Sequence, residues 1–384
     1  MNFWTDEADR IAKFPIAREH IFLAHAAVTA LPQCVADAMI DYTRQSTENP
    51  QEFDAVLRVI ARTRRAAAEL IGANADEIAL LGPTSLGLSL FANGLDWQPG
   101  DEIVCYQDDY PANVYPWLAL ERLGVKLRYL KPEKLGEITL ELVSESLTPR
   151  TKLVALASCN FVTGYRIDHN SIGKMLHERG VLFSLDAIQT LGAFPTTVEH
   201  VDFLSADAHK WLLGPMAMGI VYVKREHFEK LRPTLLGAWN VQSPQFVTQS
   251  EIRFVDSAQR YEPGVLNTPG IYGMLAAISM LLECKIETVS ARILELRQQI
   301  VDGVLARGFE VLSPISGPSC SGIVTFRHPE KSVKPLFDWL TENGVVASHR
   351  FTRDGRDALR FSPHFYNTPE EISRTLEILN QKDS

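Results

Sequence analysis

Seven short apolar runs recur between about residues 70 and 225: EIALL, DEIVCY, KLRYL, KLVALASCN, VLFSLD, DFLSAD and GIVYV. Between them lie longer stretches with apolar residues at helical spacing, among them SLGLSLFANGL, NVYPWLALERLG and NSIGKMLHERG. The last two end at a glycine, which suits the left-handed residue that closes many helices. Alternation of this kind predicts an α/β fold on a mostly parallel sheet, with right-handed crossovers between successive strands. Residues 226–260 break the pattern, and Pro233, Gly237 and Pro244 mark a connector or active-site loop region. From about residue 265 one long helical stretch precedes strand-like FEVLS and GIVTFRH, a helix near VKPLFDWLTENG, and a last helix capped by Thr368. The expected division is an N-terminal segment 1–20 packing near the small domain, a large ligand-binding domain 21–258, and a small α+β domain 259–384.

Composition narrows the partners more than the fold. The 384 residues carry 38 Lys and Arg against 47 Asp and Glu, a net charge of −9. No broad basic face is therefore available for a phosphate backbone, and nucleic acid is not an expected partner. The apolar runs fall short of the roughly 18 residues a membrane span needs. The start, MNFWTDEADRIAKF, lacks a basic region followed by an apolar run, so a cytoplasmic, membrane-free setting is expected. Cys34, Cys105, Cys159, Cys284 and Cys320 are scattered and never spaced C-x-x-C. They fit neither a disulfide framework nor a zinc site, no metal is expected, and each reads as a small buried hydrophobe.

Candidate chemistry concentrates in residues 181–223. Asp186 ends one β run, Gln189 follows, and a second run ends in Ala-His-Lys-Trp, which puts Lys210 24 residues after Asp186. In a parallel sheet both positions lie at carboxyl ends of strands, where open α/β sheets bind ligands. Such an acid and amine suit pyridoxal phosphate: the amine forms an imine with the aldehyde, and the carboxylate keeps the ring nitrogen protonated. LGPTSLGLSLFANGL places Gly82, Thr84, Ser85 and Gly87 between a β run and a helix, a phosphate cradle of amides and hydroxyls. Its glycine spacing is not that of G-x-G-x-x-G, which argues against a dinucleotide enzyme.

Together these segments resemble the class V aminotransferase family of fold-type I pyridoxal phosphate enzymes, which includes cysteine desulfurases, kynureninases and isopenicillin N epimerase-like proteins. The resemblance runs over roughly residues 20–378. It implies a seven-strand, mostly parallel sheet in a large cofactor domain, a small α+β C-terminal domain, and a homodimer with the active site near the subunit interface. For the cofactor it implies Thr84 and Ser85 at the phosphate, Tyr110 stacked on the ring where desulfurases carry His, and Asn160 near the ring hydroxyl. Asp186 is implied at the ring nitrogen, Gln189 near the ring oxygen, and Lys210 as the covalent lysine, with His209 beside it. Arg360, Asn160 and His25 are the implied substrate contacts.

Three departures accompany these matches. Asp207 stands where desulfurases carry a hydroxyl residue against the phosphate. Val265 stands where a neighbouring subunit's Thr is expected, with Asn267 the nearest substitute. Residues 345–360, VVASHRFTRDGRDALR, lack the loop cysteine that takes sulfur in desulfurases, and Cys320 is poorly placed to replace it. His349, Arg350 and Arg353 are candidates for the substrate entrance. The expectation is an enzyme acting on an amino acid or related carboxylate-bearing amine, with Lys210 as base at Cα. Transamination comes first, then a Cβ–S or Cβ–X lyase, then an epimerase, with a non-catalytic cofactor-binding protein as a distant alternative.

Overall fold

Each of the seven apolar runs forms a strand of one sheet in the computed structural model, which describes residues 3–51 and 53–383. Met1 and Asn2 of the expected N-terminal segment and Ser384 lie outside the described residues. The strands are β1 (Ile78–Ala79), β2 (Glu102–Cys105), β3 (Lys126–Tyr129), β4 (Thr151–Ala157), β5 (Leu182–Asp186), β6 (Phe203–Asp207) and β7 (Gly219–Val223). Their order is β1-β7-β6-β5-β4-β2-β3. Strands β2 to β6 pair in parallel, and β7 alone runs antiparallel to its neighbours β1 and β6. Every residue of β6 and β7 is buried, which is why these strands read as unbroken apolar runs rather than as alternation.

The long helical pattern after residue 265 is two helices, Thr268–Cys284 and Ile286–Leu305, divided at Lys285 with φ 64°. The apolar pattern does not pause there because both helices bury apolar faces on either side of the break. Ile271, Met274, Ile278 and Leu281, and beyond Lys285 also Ile286, Val289 and Ile293, pack into the cluster of the large sheet, whereas Leu296, Ile300, Val301 and Val304 pack into that of the C-terminal module. Thr268–Cys284 lies against the helices Gln33–Glu48 and Phe53–Ile71, so structurally it goes with the large layer. NVYPWLALERLG is also interrupted: the helix Tyr115–Leu118 gives way to a 3-10 turn, Ala119–Leu123, closed by Gly124 at φ 80°.

The C-terminal module holds the antiparallel strands β8 (Glu310–Val311), β9 (Val324–Arg327), β10 (Ser348–Phe351) and β11 (Asp357–Phe361), ordered β10-β11-β9-β8. Its last helix, Pro369–Asp383, starts with a reciprocal cap: Glu371 N–H donates to Thr368 Oγ1 and Thr368 N–H to Glu371 Oε2, both 3.2 Å. The N-terminal segment is fastened here. Ile21–Phe22 pairs in parallel with Val345–Val346, Phe14 stacks on Tyr366 with ring centroids 4.2 Å apart, and Arg10 meets Glu371 at 2.9 Å. Among the described residues no helix is long and apolar enough to cross a membrane.

Candidate functional site

The sheet delivers its chemistry at the carboxyl ends of β5 and β6. Asp186 is the last residue of β5, and Lys210 follows the end of β6 by three residues. The turn after the lysine is tight and buried: Leu213 adopts φ 56°, and its N–H donates back to Lys210 O at 3.1 Å. A non-glycine residue held left-handed in this way costs free energy and marks a turn that the surrounding packing imposes. Both side chains open into a cavity of about 330 Å³, shared with Thr84, Ser85, Tyr110, Gln189, His209, Arg350 and Arg360.

Lys210 is 7% exposed and has no acid within ion-pair distance among the described residues. Its Nζ lies 5.3 Å from the centroid of the Tyr110 ring. Burial pushes the amine down to about 8, Arg360 and Arg350 add to the fall, and Asp186 and Asp207 oppose it. Asp186, wholly enclosed, is pushed the other way by burial, up to about 6, against the pull of the Ile188 N–H and Lys210. That N–H, at 3.1 Å, is the hydrogen-bond donor the carboxylate has, so an acceptor is left over for a cationic N–H. Gln189 ties the floor together, donating to Ala26 O at 3.1 Å and accepting from Trp211 Nε1 at 2.9 Å.

Thr84 and Ser85 open the helix Thr84–Gly94, where the first amides have no partner within the helix and point at whatever lies beyond. The glycines of this loop serve packing. A Cβ on Gly87 would lie 2.4 Å from Ser205 Oγ, and one on Gly82 would lie 2.7 Å from the Ala217 carbonyl carbon, so glycine lets the loop and helix close onto the sheet.

Across the cavity, the hairpin β10–β11 sets Ser348 opposite Arg360 and Arg350 opposite Ala358, which makes the two arginines diagonal neighbours on one face. Arg360 donates to Phe161 O and, at 3.4 Å, to Ser348 Oγ. The Nε atoms of both arginines are buried without a partner among the described residues, and neither guanidinium pairs with an acid there. Burial, with Arg350 beside it, brings Arg360 down to about 9. A buried and a half-buried cation side by side, with no acid partner among the described residues, suit an anion, and paired guanidinium forks match a carboxylate in shape as well as charge.

Not every expected residue converges here. His25 is fully buried outside the cavity, with Nδ1 2.8 Å from Ser362 O and Nε2 2.9 Å from Tyr366 Oη, so both ring nitrogens are occupied. Asn160 spends its amide on the adjoining loop: Oδ1 accepts from Val162 N–H and Thr163 N–H, and Nδ2 donates to Asp108 O. Its neighbour Phe161 lines the cavity instead. Asn267 caps the helix Thr268–Cys284 through Gly270 N–H and lines a separate cavity with Leu80, Leu86 and Val265. None of the five cysteines lines the Lys210 cavity, and Cys34, expected inside, is exposed. Arg350, expected at the entrance, lines the Lys210 cavity itself, diagonal to Arg360.

The chain matches the family described as aminotransferase class-V over residues 21–375. It is similar to a probable cysteine desulfurase of Methanothermobacter thermautotrophicus, 26% identical over 393 residues and covering 96% of each chain. It is also similar to an uncharacterized aminotransferase, YcbU, of Bacillus subtilis, 26% identical over 372 residues and covering 96% of each. Among solved structures, the apo cysteine desulfurase from Thermococcus onnurineus NA1 superposes with a TM-score of 0.90 at 22% identity, over 100% of this chain and 99% of that one.

Proposed function

We infer, from the premise that this chain belongs to the class-V aminotransferase family, that it is a pyridoxal phosphate-dependent enzyme acting at Cα of an amino acid or related carboxylate-bearing amine. The observation that carries the reading is one cavity holding the buried Lys210 amine, the Asp186 carboxylate and two guanidiniums, with no ion pair to the amine or to either guanidinium among the described residues. The residues fit the cofactor. Asp186 would take the ring N–H, the Thr84 and Ser85 hydroxyls and helix amides the phosphate, and Tyr110, 5.3 Å from Lys210 Nζ, one ring face. When bound, pyridoxal phosphate supplies an aldehyde for covalent capture of amines and a ring that draws electrons from the adjacent carbon.

The chain's own residues do the rest. Arg360 and Arg350 hold the substrate carboxylate, which fixes the orientation of Cα. Lys210, its amine pKa lowered by burial to about 8, is the base that removes the proton from Cα and carries it for redelivery. Closure by Phe161 and the apolar wall of Ala26, Ala27 and Val28 limits water around that proton. We read the reaction as transamination. A second reading, elimination across a Cβ–S or Cβ–X bond, is favoured by a relative named as a probable cysteine desulfurase. With no cysteine on the cavity wall, such an enzyme would release sulfur without a protein persulfide. Incubation with candidate amino acids separates the two: a pyridoxamine spectrum with free oxoacid supports transamination, and oxoacid plus ammonia and sulfide supports elimination.

The depressed amine gives a pH test. The unprotonated fraction of Lys210 grows as pH climbs through about 8. Cofactor capture by the apo-chain should therefore accelerate between pH 7 and 9 and level off above, in stopped-flow absorbance. An ordinary lysine, near 10.4, would still be gaining at pH 10, and that profile would contradict the geometry.

A homodimer is proposed as the working assembly. Leu235, Leu236, Phe246, Val247, Ile252 and Val265 are each half exposed or more in and beside the loop region, and large exposed apolar side chains gathered in one stretch of chain suit a protein–protein contact. Asn267 lies against this region, away from its own Lys210 cavity. Sedimentation velocity showing a monomer at micromolar concentration would reject the assembly.

A further inference from the structure

Asp207 is a buried acid that this chemistry leaves unused. It ends β6 with its side chain wholly enclosed. Its Oδ1 accepts the His209 N–H at 3.2 Å and lies 2.7 Å from Nδ1 of the same ring, off the N–H axis, so the contact is an ion-pair distance without an aligned hydrogen bond. Oδ2 has no partner among the described residues. The backbone of Asp207 also donates to Thr84 Oγ1 at 2.8 Å. One acid thus grips both walls of the cavity end where Thr84, Ser85 and His209 meet.

A carboxylate in that place would repel a phosphate dianion unless a proton-bearing group stands between them. His209 stands there, one-fifth exposed, with Nδ1 turned to Asp207 and the ring on the cavity wall. If Nδ1 carries the proton, a neutral ring offers Nε2 as an acceptor, the wrong polarity for phosphate. A second proton makes Nε2 a donor and gives the ring a positive charge between two anions. The other charged or titratable groups on this cavity are Asp186, Lys210, Arg350, Arg360 and Tyr110. Asp207 is the carboxylate within ion-pair distance of the ring.

We propose that Asp207 is a positioning residue that holds His209 as the cation for the cofactor's phosphate, and that loading the phosphate draws one proton from solvent onto His209 Nε2. The proposal rests on the cofactor reading above and adds a proton to it. The Asp207 carboxylate and the His209 imidazolium would then act together as one relay.

Pyridoxamine phosphate and pyridoxamine test it, because neither carries an aldehyde for Lys210. Titration calorimetry of the apo full-length chain, in buffers of differing ionisation enthalpy, counts the protons. Pyridoxamine phosphate should take up about one proton more than pyridoxamine. In Asp207→Asn the extra proton should vanish, and affinity for the phosphate-bearing probe should fall about tenfold or more while pyridoxamine is unaffected. His209→Gln, at a partly exposed ring, should do the same, and the double variant should be no worse than either single one. Equal losses for both probes, additive losses, or tighter phosphate binding by Asp207→Asn would overturn the proposal. Should the unaltered chain bind both probes with equal proton counts, the relay fails alone. Should it bind neither, and fail to be reduced onto pyridoxal phosphate at Lys210, the cofactor reading itself fails.

Discussion

Replacing Lys210 by alanine should abolish the borohydride-reducible link between chain and cofactor and lower turnover on the order of 10⁴-fold, the scale of a lost general base. The fold should survive, because the lysine makes no ion pair among the described residues, and the desolvation relieved by removing a buried amine offsets the loss of its contact with the Tyr110 ring. The variant should still bind pyridoxal phosphate noncovalently through Thr84, Ser85 and Asp186, with an absorbance spectrum lacking the lysine-linked band. Peptide mapping after reduction checks this directly. Label retained elsewhere in the variant, or turnover within tenfold of the parent, would mean that another amine does the chemistry.

Arg360→Met should separate stability from function. Arg360 is 1% exposed, beside Arg350, and without an acid among the described residues. Its depression to about 9 records how unwelcome the charge is. Methionine approximates the volume of the stem without the charge, and replacing buried charge by packed apolar atoms is often neutral or stabilising. The apo variant should therefore melt no lower than the parent in scanning calorimetry. Substrate should suffer: without the fork that grips its carboxylate, kcat/KM is expected to fall about 10²-fold or more, chiefly through KM if the grip is equal in ground and transition states. Arg360→Lys should recover little, since a point charge lacks the planar donor pair. A variant that loses stability and activity together would make Arg360 a structural brace for Phe161 and Ser348 instead of a substrate anchor.

What could be read from sequence follows from how local each signal is. The strands were legible because both faces of β6 and β7 are covered, so burial alone wrote an apolar run. Asp186 and Lys210 stood out because the first ends such a run and the second follows the end of another by three residues, and strand ends in parallel sheets are where ligands sit. The break at Lys285 was not, since both flanking helices bury apolar faces and nothing polar interrupts the pattern. His25 was misjudged for want of its partners, which lie 337 and 341 residues away in sequence. Arg350 sits in SHRFTRD, which looks like a solvated basic hairpin. Only the register of β10 against β11 turns it toward Arg360.

The pairing of Ile21–Phe22 with Val345–Val346 has a consequence for biosynthesis. A ribosome delivers one half of this two-residue ladder long before the other, so the early half must wait, unpaired, until nearly all of the polypeptide has emerged. Such a closure carries high contact order, which slows folding and prolongs the time an unsatisfied edge is available to neighbours. Severing the chain between its modules would leave each fragment with half of that seam.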